Sequence, residues 1–172
     1  DPASIQLGAV SKTFPAAAVA EASDAGQRVF GENKVQEGLE KIATLEHLHL
    51  TWHLIGHLQS NKARKAAVAF QCIESVASLD LLQKIDAAAA AAGHRPRVLV
   101  QVDLAAETTK HGAPAELVSG LVRAAAAAEH VKLVGLMTLP PFPERPEDSR
   151  PWFRRLRELR DSLVETGVPA LA

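Results

Sequence analysis

The chain has 172 residues, 47% hydrophobic and 23% charged, the composition of a globular protein and not of a disordered or fibrous one. A formal net charge of -1 supplies no positive field for nucleic acid or anionic lipid, and no apolar run approaches the ~20 residues that span a bilayer. A single cysteine, Cys72, excludes an internal disulfide and suits a reducing cytoplasm, so the expected partner is a small molecule.

The start, Asp1-Pro2-Ala3-Ser4, lacks the basic and apolar regions of a signal peptide. Ile5 to Val10 reads as a strand ending at polar Ser11-Lys12-Thr13, and Pro15 opens an Ala/Val/Glu helix that closes at Gly26. Gln27 to Phe30 follows as a strand, Gly31-Glu32-Asn33 as a turn and Lys34 to Glu46 as a helix. Thr51 to Ile55 is the third strand and Gln59 to Phe70 its helix. Gln71 to Ser75, with Cys72 as a buried strand position, precedes a helix over Leu79 to Ala92. Arg97 to Asp103 precedes a helix over Pro114 to Glu129, and Val131 to Met137 precedes one over Ser149 to Thr166. The alanine blocks at Ala87–Ala92 and Ala124–Ala128 belong to these helices and predict close helix packing.

Strand and helix alternate in units of roughly 30 residues, and Val98–Val102 and Leu133–Met137 are nearly continuous in apolar character, as strands of a parallel sheet covered on both faces are. The fold class is therefore α/β. Periodicity alone does not separate a doubly wound sheet from a closed (β/α)8 barrel. No Gly-rich dinucleotide fingerprint follows the first strand, whereas polar residues recur after several strands in succession, as around a barrel mouth. The reading is a single (β/α)8 TIM-type barrel domain over 1–172. It is truncated to about six βα units, with Val168–Ala172 as the opening of a seventh, because a complete barrel takes about 250 residues.

A lysine after one short strand is more often a solvated loop residue than a nucleophile. At a strand end of a barrel, Lys12 can also serve as a Schiff-base amine, which must be neutral to attack an aldehyde; a partly dry mouth favours that form. Taken singly, Asn33 reads as a turn or N-cap residue, and His53 and Met137 as core positions. His57 and Ser60-Asn61-Lys62 read as a cap or anion site for the third helix, and Lys110 as a secondary amine. Pro140-Pro141-Phe142-Pro143 is a stiff loop after the sixth strand, read first as a plain connector and second as a cover for the site, and the arginines from Arg150 to Arg160 are a solvated helix face.

The motifs Ala9-Val10-Ser11-Lys12-Thr13, Gly31-Glu32-Asn33-Lys34-Val35-Gln36-Glu37, Trp52-His53-Leu54-Ile55-Gly56-His57-Leu58-Gln59-Ser60-Asn61-Lys62, Lys110-His111-Gly112 and Gly135-Leu136-Met137-Thr138 occur in order along almost the whole chain. Together they resemble the pyridoxal phosphate homeostasis proteins, single-domain barrels similar to the N-terminal domain of alanine racemase, a fold-type III pyridoxal phosphate (PLP) binding architecture. The resemblance implies that Lys12 carries PLP as a Schiff base and that Asn33, His53, Gly56 and Met137 surround it. It places the phosphate on loops after strands seven and eight, beyond these residues, together with an arginine at the pyridine nitrogen. It also implies an N-terminal helix before the first strand. The function implied is a cytoplasmic carrier that buffers PLP, as a monomer at full length, and delivers it to apo-enzymes without turnover of its own. Racemisation is the alternative, but in alanine racemase the second base is a tyrosine from another domain, and this chain has no tyrosine. A cofactor-free Schiff-base aldolase is the third reading.

Overall fold

The structure, a computed structural model, describes residues 4–105, 111–168 and 171. Its strands are β1 (Ala9–Val10), β2 (Val29–Glu32), β3 (Thr51–Leu54), β4 (Cys72–Val76), β5 (Arg97–Asp103), the two-residue β6 (Ala113–Pro114) and β7 (Lys132–Met137). The helices are α1 (Ala16–Asp24), α2 (Val35–Thr44), α3 (Ala63–Ala69), α4 (Leu79–Ala92), α5 (Ala115–Ala127) and α6 (Arg150–Glu165). All pairings are parallel, and β1, β2, β3, β4, β5 and β7 lie side by side in chain order, with β6 bridging the C-terminal end of β5.

This order separates the two α/β architectures. A doubly wound sheet reverses its strand order at a switch point, and no reversal occurs among the described strands. Since parallel crossovers are right-handed, an unreversed order carries every helix to the same face. The strands therefore form an arc of a barrel, with helices outside and a free inner face.

The core lies between that arc and the helices. On β5 the residues Val98, Val100 and Val102 are buried under the helical layer, where Ile85, Val118, Leu121 and Val122 meet them in one cluster. The alanines allow the helices to sit close: Ala66 and Ala67 on α3 and Ala89 on α4 are fully buried. Ser78 caps α4, its Oγ accepting from the Leu81 N–H at 3.2 Å, while Gly93 closes the helix in the left-handed region at φ 65°. Replacing Ser78 with alanine is expected to cost about 1 kcal/mol, read as a lower urea midpoint with an unchanged slope.

The α4 and β5 boundaries match the sequence reading; others shift for physical reasons. The first strand is confined to Ala9–Val10, because β2 alone pairs with it there and Ile5 and Leu7 stand exposed. Gly31 and Glu32, expected in a turn, continue β2 and pair with His53 and Leu54. A charged residue inside a strand resembles a turn until its partners are known. The third helix begins later, after a 3-10 turn over Ser60–Lys62. The expected cap is absent there: Ser60 Oγ donates to Asp80 Oδ2 at 3.1 Å instead. The seventh strand expected at 168–172 falls partly outside the described residues; within them, the Leu171 N–H turns back to the Val168 carbonyl.

Candidate functional site

The inner face of the arc bounds a cavity of about 880 Å³, within the size range of small-molecule pockets. Lys12, Asn33, His53, Gly56 and Met137 all line it, each contributed by a different strand or strand end except for the His53 and Gly56 pair on β3 and its exit. Lys110 lies outside the described residues. Its neighbour His111 lines the same cavity and stacks on His57, with ring centroids 4.0 Å apart and planes inclined by 26°.

Two features hold the exit of β3 between those of β4 and β2. The Gly56 carbonyl accepts from Ser75 Oγ at 2.7 Å. On its other side, a Cβ added at Gly56 would fall 2.2 Å from the Asn33 carbonyl oxygen and 2.7 Å from its Cα. Glycine is the residue that permits this contact, which keeps the Asn33 turn at the cavity wall.

The turn carrying Lys12 is also defined. The Ser11 N–H donates to the Gly31 carbonyl at 3.0 Å, and the Phe14 N–H closes back on the Ser11 carbonyl at 3.1 Å. Thr13 occupies the left-handed region at φ 69°, a conformation that costs a non-glycine residue on the order of 1–3 kcal/mol and persists only where its surroundings impose it.

The cavity wall contains polar residues that sequence reading left unassigned: Glu74, Arg97 and Gln101. His53 Nδ1 lies 2.6 Å from Glu74 Oε1, and an Arg97 terminal nitrogen lies 3.3 Å from His53 Nε2. A guanidinium only donates, so Nε2 is the acceptor and Nδ1 carries the proton and donates to the Glu74 carboxylate. Their common signal is the two-residue period of the strands, which sets Arg97, Leu99 and Gln101 on the cavity side of β5.

The ligating atoms of His53, Cys72 and Glu74 lie within 4.8 Å of one another. The hydrogen bonds of His53 and the protonated thiol of Cys72 oppose metal binding. Both imidazole nitrogens are engaged, and burial, reinforced by the Glu74 carboxylate, pushes the Cys72 thiol up to about 12. Arg97 adds a positive charge beside the cluster. The group is a hydrogen-bonded wall of the cavity.

Burial, and secondarily His111, hold His57 below the ordinary histidine value of 6.5. Burial of neutral His57 therefore contributes stability that is present above pH 6.5 and is lost as pH falls through the lower folded value. An NMR titration is expected to place the His57 midpoint below 6.5, and His111→Ala to move it upward toward that value.

A parallel arc in unreversed order, with a lysine after its first strand and a cavity at the strand ends, defines the class of the alanine racemase N-terminal domain, whose family model matches residues 3–172. Alanine racemase of Clostridium difficile superposes with a TM-score of 0.77 at 20% identity, covering 95% of this chain and 44% of the other, a likeness of fold. The pyridoxal phosphate homeostasis proteins of Aquifex aeolicus and Pseudomonas aeruginosa are 42% and 44% identical over 91% and 92% of this chain, which spans 68% and 69% of their lengths. PipY of Synechococcus elongatus PCC7942, solved with PLP bound, is 40% identical and superposes with a TM-score of 0.91 over 99% of this chain and 79% of its own. The chain belongs to the pyridoxal phosphate homeostasis protein family.

Proposed function

We propose that this protein binds PLP through Lys12 and acts in PLP homeostasis as a carrier, holding the cofactor and releasing it to apo-enzymes. One observation supports the reading above the others: Lys12, Asn33, His53, Gly56 and Met137, far apart in sequence, line a single cavity. The cavity suits the cofactor's chemistry. When bound, PLP supplies an aldehyde that an amine captures reversibly. Lys12 is the primary amine among the described residues lining the cavity and would hold it. Val10, Ile55, Leu99 and Met137 offer apolar wall for a flat ring, while Asn33 and the His53–Glu74 pair supply polar edges.

Carriage and racemisation place different demands on these residues. A racemase needs a proton donor and acceptor on opposite faces of the substrate, and the tyrosine that serves one face in alanine racemase has no counterpart in this sequence. A carrier needs a reversible amine and a cavity that shields the aldehyde from other amines. The setting proposed is the cytoplasm, with PLP-dependent apo-enzymes as recipients and the full-length protein as a monomer.

The test loads the purified protein with PLP, removes free cofactor and adds a PLP-dependent apo-enzyme and, separately, L-alanine. The expected result is restored activity of the apo-enzyme with no racemisation above background. Sustained racemisation by the loaded protein would overturn the carrier reading.

A further inference from the structure

Lys12 is flanked by two residues that a buried ionic network holds from behind. Lys41, on α2 and nearly buried, donates to three acceptors: the Ser11 carbonyl at 2.7 Å, Glu32 Oε1 at 2.7 Å and Glu37 Oε1 at 2.8 Å. An ammonium has three protons, so its donor capacity is fully used. Glu32 is completely buried on β2 and also accepts from Ser11 Oγ at 2.6 Å. Glu37 Oε1 accepts the Thr13 N–H at 2.7 Å.

The residue before Lys12 is thus tied to Glu32 and Lys41, and the residue after it to Glu37. We infer that Glu37, Lys41 and Glu32 are positioning residues for Lys12: they hold the Ser11–Thr13 turn, with Thr13 in the left-handed region, so that it presents the amine to the cavity. The inference rests on the proposed role of Lys12. Its physical basis is independent of the cavity wall, because none of the three side chains lines the cavity.

Burial works against a charged Lys41, but its hydrogen bonds to Glu32 and Glu37 and the charges of those carboxylates more than offset it, leaving its ammonium above the usual lysine range. The second Glu32 oxygen is buried and has no hydrogen-bond partner among the described residues. A buried ion pair is weak evidence for stability by itself, since apolar residues of similar volume often serve as well. It does provide a fixed direction, and each of the three residues has one hydrogen bond that ends on Ser11 or Thr13.

Glu37 is the accessible point of the network, its side chain 28% exposed. Glu37→Ala removes the acceptor for the Thr13 N–H, whereas Glu37→Gln keeps an amide oxygen in its place. The measurement is the rate at which the protein captures added PLP at Lys12, followed by absorbance and by borohydride fixation, alongside thermal unfolding. Glu37→Ala is expected to slow capture at least about tenfold, since small misplacement of a reacting group has effects of that order or larger, with little change in Tm. Glu37→Gln restores most of the rate. Ser11→Ala, which loses only the Oγ contact to Glu32, gives a smaller slowing and serves if Glu37→Ala fails to fold.

Capture at the wild-type rate by a folded Glu37→Ala protein, or by Ser11→Ala where Glu37→Ala does not fold, would overturn the inference while leaving Lys12 as the attachment site. Wild-type protein that takes no label at Lys12 would overturn the proposed function itself.

Discussion

Lys12→Ala is expected to reduce the borohydride-fixed PLP label to background while leaving the fold intact. Lys12 is exposed on a turn, so truncation opens no core cavity and its cost to stability falls within the range of surface substitutions, about 0.5 kcal/mol. The chemical effect is much larger. Among the described residues lining the cavity, the other strong base is the Arg97 guanidinium, which remains protonated and cannot act as the amine. Noncovalent contacts with Asn33, His53 and Met137 would remain, so weak binding can persist without the covalent link. Peptide mapping of the reduced protein is the measurement. Wild-type label should fall on Lys12, and Lys110→Ala should retain it. Equal labelling of Lys12→Ala, through Lys34, Lys62 or Lys110, would remove Lys12 from its role.

Gly56→Ala is expected to destabilise the protein by roughly 3 kcal/mol and to weaken PLP capture together with it. The added methyl meets the Asn33 backbone at 2.2 Å, and Asn33 cannot retreat by a rotamer change because main-chain atoms are struck. Relief requires β2 and β3 to separate at their exits, which moves Asn33 away from the cavity. The expected Tm decrease is roughly 6–12 °C for a chain of this size. Gly120 provides the contrast: a Cβ there meets nothing within 4 Å, and alanine is the better helix former, so Gly120→Ala on α5 should be neutral or stabilising. Wild-type Tm and capture for Gly56→Ala would show that the Asn33 contact is easily relaxed.

Elements with an uninterrupted local pattern were legible in the sequence. The alanine-rich run Leu79–Ala92, with Ser78 before it and Gly93 after it, contains its own start and stop, and Arg97–Asp103 has the composition of a covered parallel strand. Five cavity residues were legible because their motifs resemble a family, and the fold then brought them to one place. What escaped depends on distant partners. Glu32 reads as a turn residue because nothing local announces that Ser11 and Lys41 will bond one of its oxygens in the interior. The His53–Glu74–Arg97 chain joins three strands, and its members look unrelated until the register sets Cys72 beside both His53 and Arg97. The stack of His57 on His111 depends in the same way on two loops meeting at the mouth.

The unreversed strand order has a consequence for how this protein tolerates change. On β5 the helical side carries Val98, Val100 and Val102, and the cavity side carries Arg97, Leu99 and Gln101. Ligand recognition and folding are therefore encoded on alternating letters of one word, and a saturation scan through 97–102 should separate into two interleaved phenotypes. Odd positions should alter what is captured, and even positions how much protein survives. Such a scaffold can acquire a new ligand by rewriting one set while leaving the other untouched.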